Sequence, residues 1–144
     1  MATDTAILEA LYNALQAGGR RQLMRGIVQA VRREQTQRIA RQLDPAGDRF
    51  APRAQAQKRK DQARGPMFRR LRLIKHTVTQ VTESDGLVGF KSRAERIARV
   101  HQEGGMDAPR KGWRPVRYPV RQLLGVSDDT ERIVWEALER HLLK

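Results

Sequence analysis

The sequence predicts an α+β fold, with N-terminal helices and a C-terminal helix packed on a small antiparallel sheet. Apolar residues recur at helical spacing over residues 4–43 and again over 128–143. Between these stretches, Thr77, Thr79 and Val81 alternate ahead of Ser84-Asp85-Gly86 and the run Leu87-Val88-Gly89-Phe90, the pattern of a hairpin. A chain of 144 residues buries roughly 70% of its unfolded surface, so a single domain spanning 1–144 can form a core without staples.

The elements follow in order. Ile7, Leu8, Leu11, Tyr12 and Leu15 predict a short amphipathic helix from Asp4 to Ala17, with Thr3, Asp4 or Thr5 as caps and Gly18-Gly19 as its stop. A longer helix from about Arg20 to Leu43 carries the stripe Leu23, Met24, Ile27, Val28, Val31, Ile39 and Leu43. Arg21, Arg25, Arg32, Arg33, Arg38 and Arg41 give it a basic exposed side. Gly26 costs about 1 kcal/mol relative to Ala in a helix interior, which suggests close packing there. Asp44-Pro45 ends the helix. Residues 53–65 hold no large apolar side chain, so a flexible basic loop is expected over 53–66, because such a segment buries too little to offset the entropy of ordering.

Beyond Pro66, Leu71 through Val81 read as one strand and Leu87 to Phe90 as its hairpin partner, with Asp85-Gly86 supplying the positive backbone angles of the turn. Ser92 is placed to cap a brief helix through His101, with either Ile97 and Val100 or Ala94 and Ala98 inward, and Gly104-Gly105 stops it. Residues 106–116 read as a long loop around Trp113. Arg117-Tyr118-Pro119-Val120-Arg121 then alternates as an edge strand or the lead-in to one, because Pro119 has no amide hydrogen to give a ladder. Leu123 and Leu124 anchor a turn at Gly125, and Ser127 or Asp128 caps the last helix, Asp128 standing three residues before Glu131 in capping-box spacing. Ile133, Val134, Ala137, Leu138, His141 and Leu142 form its inner stripe.

The net charge is +13 and unevenly spread. Residues 20–64 hold 13 basic and 4 acidic residues and residues 65–126 hold 13 and 5, whereas residues 1–19 hold two acidic and no basic ones and residues 127–144 hold 5 acidic and 3 basic. The acidic ends and basic middle favour an acidic protein surface or nucleic acid as partner. The absence of cysteine removes thiol chemistry and agrees with a reducing cytoplasm. Neither a secretory leader nor an apolar run of ~20 residues stands out, so a soluble protein with no membrane contact is expected.

Enzymatic signals are missing. His76, His101 and His141 lack ligand spacing, Asp44 and Asp48 flank Pro45 and Gly47 in a turn, and neither a serine elbow nor a phosphate-binding loop is present. No cofactor is implied. A basic nucleic-acid-binding protein acting on duplex DNA is the alternative, each neutralised phosphate steepening the salt dependence by about 0.9. The seven aromatics form no stacking platform in sequence.

Four stretches together resemble the phage virion morphogenesis family, the tail completion proteins of P2-like and Mu-like contractile-tailed phages. They are Asp44-Pro45-Ala46-Gly47-Asp48-Arg49-Phe50-Ala51-Pro52, Met67-Phe68-Arg69-Arg70-Leu71, Arg96-Ile97-Ala98-Arg99-Val100-His101-Gln102-Glu103-Gly104, and the strand, leucine pair, glycine and capped helix from Arg117. Phe50 stands where tryptophan is more usual, and Glu103 where a small or aromatic residue is. The resemblance implies a structural, non-enzymatic protein that finishes the head-proximal end of a tail so that it joins a DNA-filled head. It also implies partners among tail tube or terminator and head connector proteins, a homo-oligomeric ring, and a lumen through which DNA passes. Candidate interface residues are Arg32, Arg33, Lys58, Arg59 and Lys60 for charge, and Trp113, Arg117, Tyr118 and Arg121 at the joint before the last helix, since Arg, Trp and Tyr most often anchor interfaces. Trp113 closing its loop over the core, Tyr118 as an inward strand residue and solvated arginines are the plainer readings.

Overall fold

The computed structural model describes residues 2–54 and 65–143. Its elements, in order, are α1 (Ala2–Leu15), α2 (Ala17–Ala40), a 3-10 turn (Ile74–His76), β1 (Thr77–Val81), β2 (Gly86–Phe90), α3 (Ser92–Glu103), β3 (Met106–Asp107), β4 (Val116–Arg117) and α4 (Asp128–Leu142). This is the α+β class. Two compact units divide the chain: Met1–Glu34 with Thr79–Val88 and Asp128–Lys144, and Gln35–Val78 with Gly89–Ser127. Most of the loop expected over 53–66 falls outside the described residues.

In the first unit α1 contacts α4, and His141 Nε2 lies 3.0 Å from the Ala14 carbonyl, to which it donates. Gly18-Gly19 does not stop α1 and instead enters the first turn of α2. A Cβ on Gly19 would stand 2.6 Å from the carbonyl oxygens of both Asn13 and Ala14, so glycine there permits a tight corner between two helices. Gly86 likewise departs from expectation. Thr82 to Asp85 close the hairpin, the Thr82 hydroxyl accepting from the Asp85 amide at 2.9 Å and the Thr82 amide donating to the Asp85 carbonyl at 2.8 Å. Gly86 is not among the positive-φ residues; it opens β2 where a Cβ would stand 2.4 Å from Val28 Cγ2. Arg20 pairs with Glu83 at 3.1 Å. The buried Thr130 hydroxyl donates to Glu34 at 2.9 Å. Gly26 is exposed with nothing near its missing Cβ, so close packing does not explain it.

The second unit has a core of Ile39, Phe50, Leu71, Phe90, Ala94, Ala98 and Leu123, with Met67, Phe68 and Leu124 packed against it. Helix α2 ends within this unit at Ala40, ahead of Asp44-Pro45. Gln42 takes φ 61°, and the amides of Gln42 and Leu43 return to the carbonyls of Ile39 and Arg38 in a Schellman arrangement. Arg38, expected on the basic face, is 3% exposed and donates to the Leu43 and Leu123 carbonyls at 3.0 and 2.9 Å. Residues 71–73 are turn rather than strand, which leaves Leu71 free to enter the core. The N-cap of α3 is Lys91 without a side-chain bond, and Ser92 takes φ 56° rather than capping. Ala94 and Ala98 are its buried pair, while Ile97 is 39% exposed. Gly104 ends α3 at φ 66°, where a Cβ would stand 2.7 Å from Val120 Cγ2.

A second antiparallel pair interrupts the loop expected at 106–116. Met106 pairs with Arg117 and Asp107 with Val116. The strand expected through Arg121 is therefore only two residues long, and Pro119, which cannot donate, lies just past its end.

Three glutamines do the work that longer strands would otherwise do. Gln42 accepts from the Met67 amide at 2.8 Å and donates to its carbonyl at 3.0 Å. Gln102 accepts from the Leu123 and Leu124 amides at 2.8 and 3.0 Å and donates to the Leu124 carbonyl at 2.9 Å. Gln35 donates to the Gly125 carbonyl at 2.9 Å and accepts from its amide at 3.3 Å. Each primary amide copies a peptide group and satisfies backbone that no ladder reaches.

Candidate functional site

The four stretches that are separate in sequence, the last of them as far as Ser127, meet in the second unit, and each contributes one ring. Phe50 meets Phe68 edge to face at 5.5 Å, Phe68 meets His101 at 4.8 Å, and His101 meets Tyr118 at 4.9 Å. Edge-to-face pairs add about 0.5–1.5 kcal/mol each beyond the area they bury. Phe68 reaches this row from φ 64°, a left-handed backbone costing about 1–2 kcal/mol for a residue with a Cβ. Its ring contacts on both sides offset that cost.

Arg121 fastens the row. It is 5% exposed; its Nε donates to the Ala51 carbonyl at 2.7 Å, and its terminal nitrogens reach the Pro52 carbonyl at 2.9 Å and His101 Nδ1 at 3.2 Å. Its amide donates to the His101 carbonyl at 2.8 Å. A guanidinium has no acceptor, so Nδ1 of His101 accepts and the imidazole proton sits on Nε2. Burial, and then the charge of Arg121, lower the His101 pKa from 6.5 to about 4, so His101 is neutral at physiological pH. Burial, and then Arg53, lower the pKa of Arg121, yet a guanidinium stays charged throughout the accessible range. Burial, and then Asp107, raise that of Tyr118 against the opposing effect of Arg121.

Beside the ring row lies an open cleft of about 580 Å³, lined by Arg53, Arg117 and Arg121 together with Met67, Phe68, His101, Val116 and Tyr118 among others, with no acidic residue in the lining. Apolar walls with guanidinium groups suit an apolar segment flanked by carboxylates.

Of the candidate interface residues, Arg117, Tyr118 and Arg121 come together in this cleft. Trp113 is not in its lining; it is 53% exposed, with the Arg110 guanidinium 5.2 Å from its ring centroid. It does not close over the core. Arg32 is half-buried and Arg33 exposed on α2 in the first unit. Lys58, Arg59 and Lys60 lie outside the described residues. Sequence reasoning missed Arg53, Phe68 and His101 as site residues, although the last two sit inside stretches it had singled out. Among the described residues no group of three or more His, Cys, Asp or Glu could hold a metal ion, and no helix is long and apolar enough to cross a membrane.

The convergence of the four stretches agrees with comparison to known proteins. A model of the phage virion morphogenesis family matches residues 2–143, and the chain belongs to that family, which is structural and non-enzymatic. Among curated proteins, it is 30% identical over 138 residues to tail completion protein S of Escherichia phage P2, covering 94% of this chain and 92% of that relative. No solved structure matches it significantly.

Proposed function

We propose that this chain finishes the head-proximal end of a contractile phage tail and so enables the tail to join a DNA-filled head. It works as a ring of identical subunits among tail tube or terminator and head connector proteins, assembled in the host cytoplasm and carried at the neck of the virion. The observation that carries this reading is the near end-to-end likeness to a tail completion protein. The basic middle of the chain supports it, since such a surface suits acidic neighbours in the tail or connector and the DNA that passes through the lumen. Arg32, Arg33, Lys58, Arg59, Lys60, Trp113, Arg117 and Tyr118 supply the contacts, and Arg121 holds the ring row to which Tyr118 belongs.

The test mixes separately purified heads and tails, made in cells lacking this protein, with and without the purified chain. Infectious particles rise on its addition if the reading holds. No rise, together with tight and salt-steep binding of free duplex DNA by the same preparation, favours a nucleic-acid-binding protein instead.

A further inference from the structure

The first unit leaves an apolar face uncovered. On α1, Ile7, Leu8, Tyr12 and Leu15 are 54, 66, 66 and 58% exposed, although their spacing is that of a core stripe. Leu8, Tyr12 and Leu15 follow one another at four and three residues and so share a side of the helix. Helix α4 leaves Trp135 62% exposed, and Leu143 just beyond it is 85% exposed. A helix that packs on α4 yet presents four large apolar residues to water is built to meet something else.

Charge indicates what covers it. Residues 1–19 carry two acidic and no basic residues, and residues 127–144 carry 5 acidic and 3 basic, so the two segments that supply this face carry net negative charge, Glu9 on α1 among it, although Asp129 and Glu136 pair with Arg132. The cleft of the second unit is its complement: apolar walls of Met67, Phe68 and Val116, guanidinium groups of Arg117 and Arg53, and no acidic residue in the lining. Both halves of a matched pair therefore sit on one chain. Two different patches that match each other make a head-to-tail contact, the type that closes cyclic assemblies, whereas a self-matching patch would stop at a dimer.

We propose that the α1–α4 face docks into the Arg117–Tyr118 cleft of a second copy of this chain. This rests on the ring reading above and deepens it by naming the subunit contact. Leu8, Tyr12 and Trp135 supply the apolar anchors, and Glu9 faces the arginines of the neighbouring copy.

The chain has no cysteine, so introduced pairs report proximity without background. Tyr12→Cys on one tagged copy and Arg117→Cys on a differently tagged copy are mixed at low salt and high concentration under mild oxidation. Tyr12→Cys mixed with Lys75→Cys serves as control. The expected result is a disulfide-linked pair of unlike tags that forms faster than the control and slows with added salt. In sedimentation, Arg117→Glu weakens self-association about tenfold or more, and adding Glu9→Arg restores it. Circular dichroism confirms that each variant is folded. The proposal is overturned if cross-linking is no faster than the control, if Tyr12→Cys links chiefly to itself, or if the doubly substituted chain closes within one molecule at high dilution. Efficient cross-linking without any gain in joined particles would leave the contact standing and remove the head-tail reading; joined particles without cross-linking would do the reverse.

Discussion

Replacing Arg121 by methionine keeps most of the side-chain stem and removes the guanidinium that ties the Phe50 segment to α3 and to the lead-in of α4. Three hydrogen bonds disappear, to Ala51, Pro52 and His101. Pro52 is exposed, so water replaces that bond, but the other two lie in a part-buried setting where a charge-assisted bond contributes about 1.5–3 kcal/mol. Relief of a desolvated charge offsets some of this loss. The net expectation is about 3 kcal/mol of lost stability, or roughly 10 °C in Tm for a chain of this size. Urea denaturation followed by circular dichroism measures it, with the slope unchanged if only stability has moved. The same variant raises the pKa of His101 above about 4, because the Arg121 charge is its second cause, yet leaves it below 6.5, because burial is the first. A stability change under ~0.5 kcal/mol, or a His101 titration that does not move, refutes the view that Arg121 fastens the joint.

His101 itself makes stability depend on pH: the unfolded chain takes up a proton near 6.5 and the folded chain only near 4, so stability falls as pH drops through that window. Discounted for partial exposure, the loss is about 2 kcal/mol; His101→Gln, which keeps an acceptor for Arg121, removes that share of the slope in urea titrations at a series of pH values. Gly26→Ala stabilises by about 0.5–1 kcal/mol, because its Cβ enters open space in a helix. Gly104→Ala destabilises by about 2–3 kcal/mol, from a left-handed backbone and contact with Val120, and the same titration separates the two. Gln102→Ala strips the Leu123 and Leu124 amides of their acceptor and costs about 2–3 kcal/mol; amide hydrogen exchange at those two positions accelerates accordingly.

The four helices were legible because amphipathic spacing repeats over several turns, and their ends were legible to within a few residues. What misled was glycine used for proximity. Gly19 and Gly86 look like a helix stop and a hairpin turn, but each answers a neighbouring atom that is distant or unpredictable in sequence: the Asn13 and Ala14 carbonyls in one case, Val28 in the other. Arg38 and the three glutamines were illegible for a related reason. On a helix they read as solvent-facing polar residues, and only the return of the chain 85 to 90 residues later brings Leu123 and Gly125 against Arg38 and Gln35. Strands β3 and β4, two residues each, are too short to carry an alternation. The site was half legible: its four stretches could be picked out one by one, whereas the row of rings joining Phe50, Phe68, His101 and Tyr118 is a product of the fold.

Electron microscopy of lysates from the phage or prophage that encodes this chain, carrying an early stop codon in its gene, is the decisive test of a role in head-tail joining. DNA-filled heads are expected beside unattached or overlong tails, joined into whole particles when the wild-type protein is supplied in trans and far less often when Arg117→Glu is supplied. Normally joined particles in the absence of the protein would contradict that role.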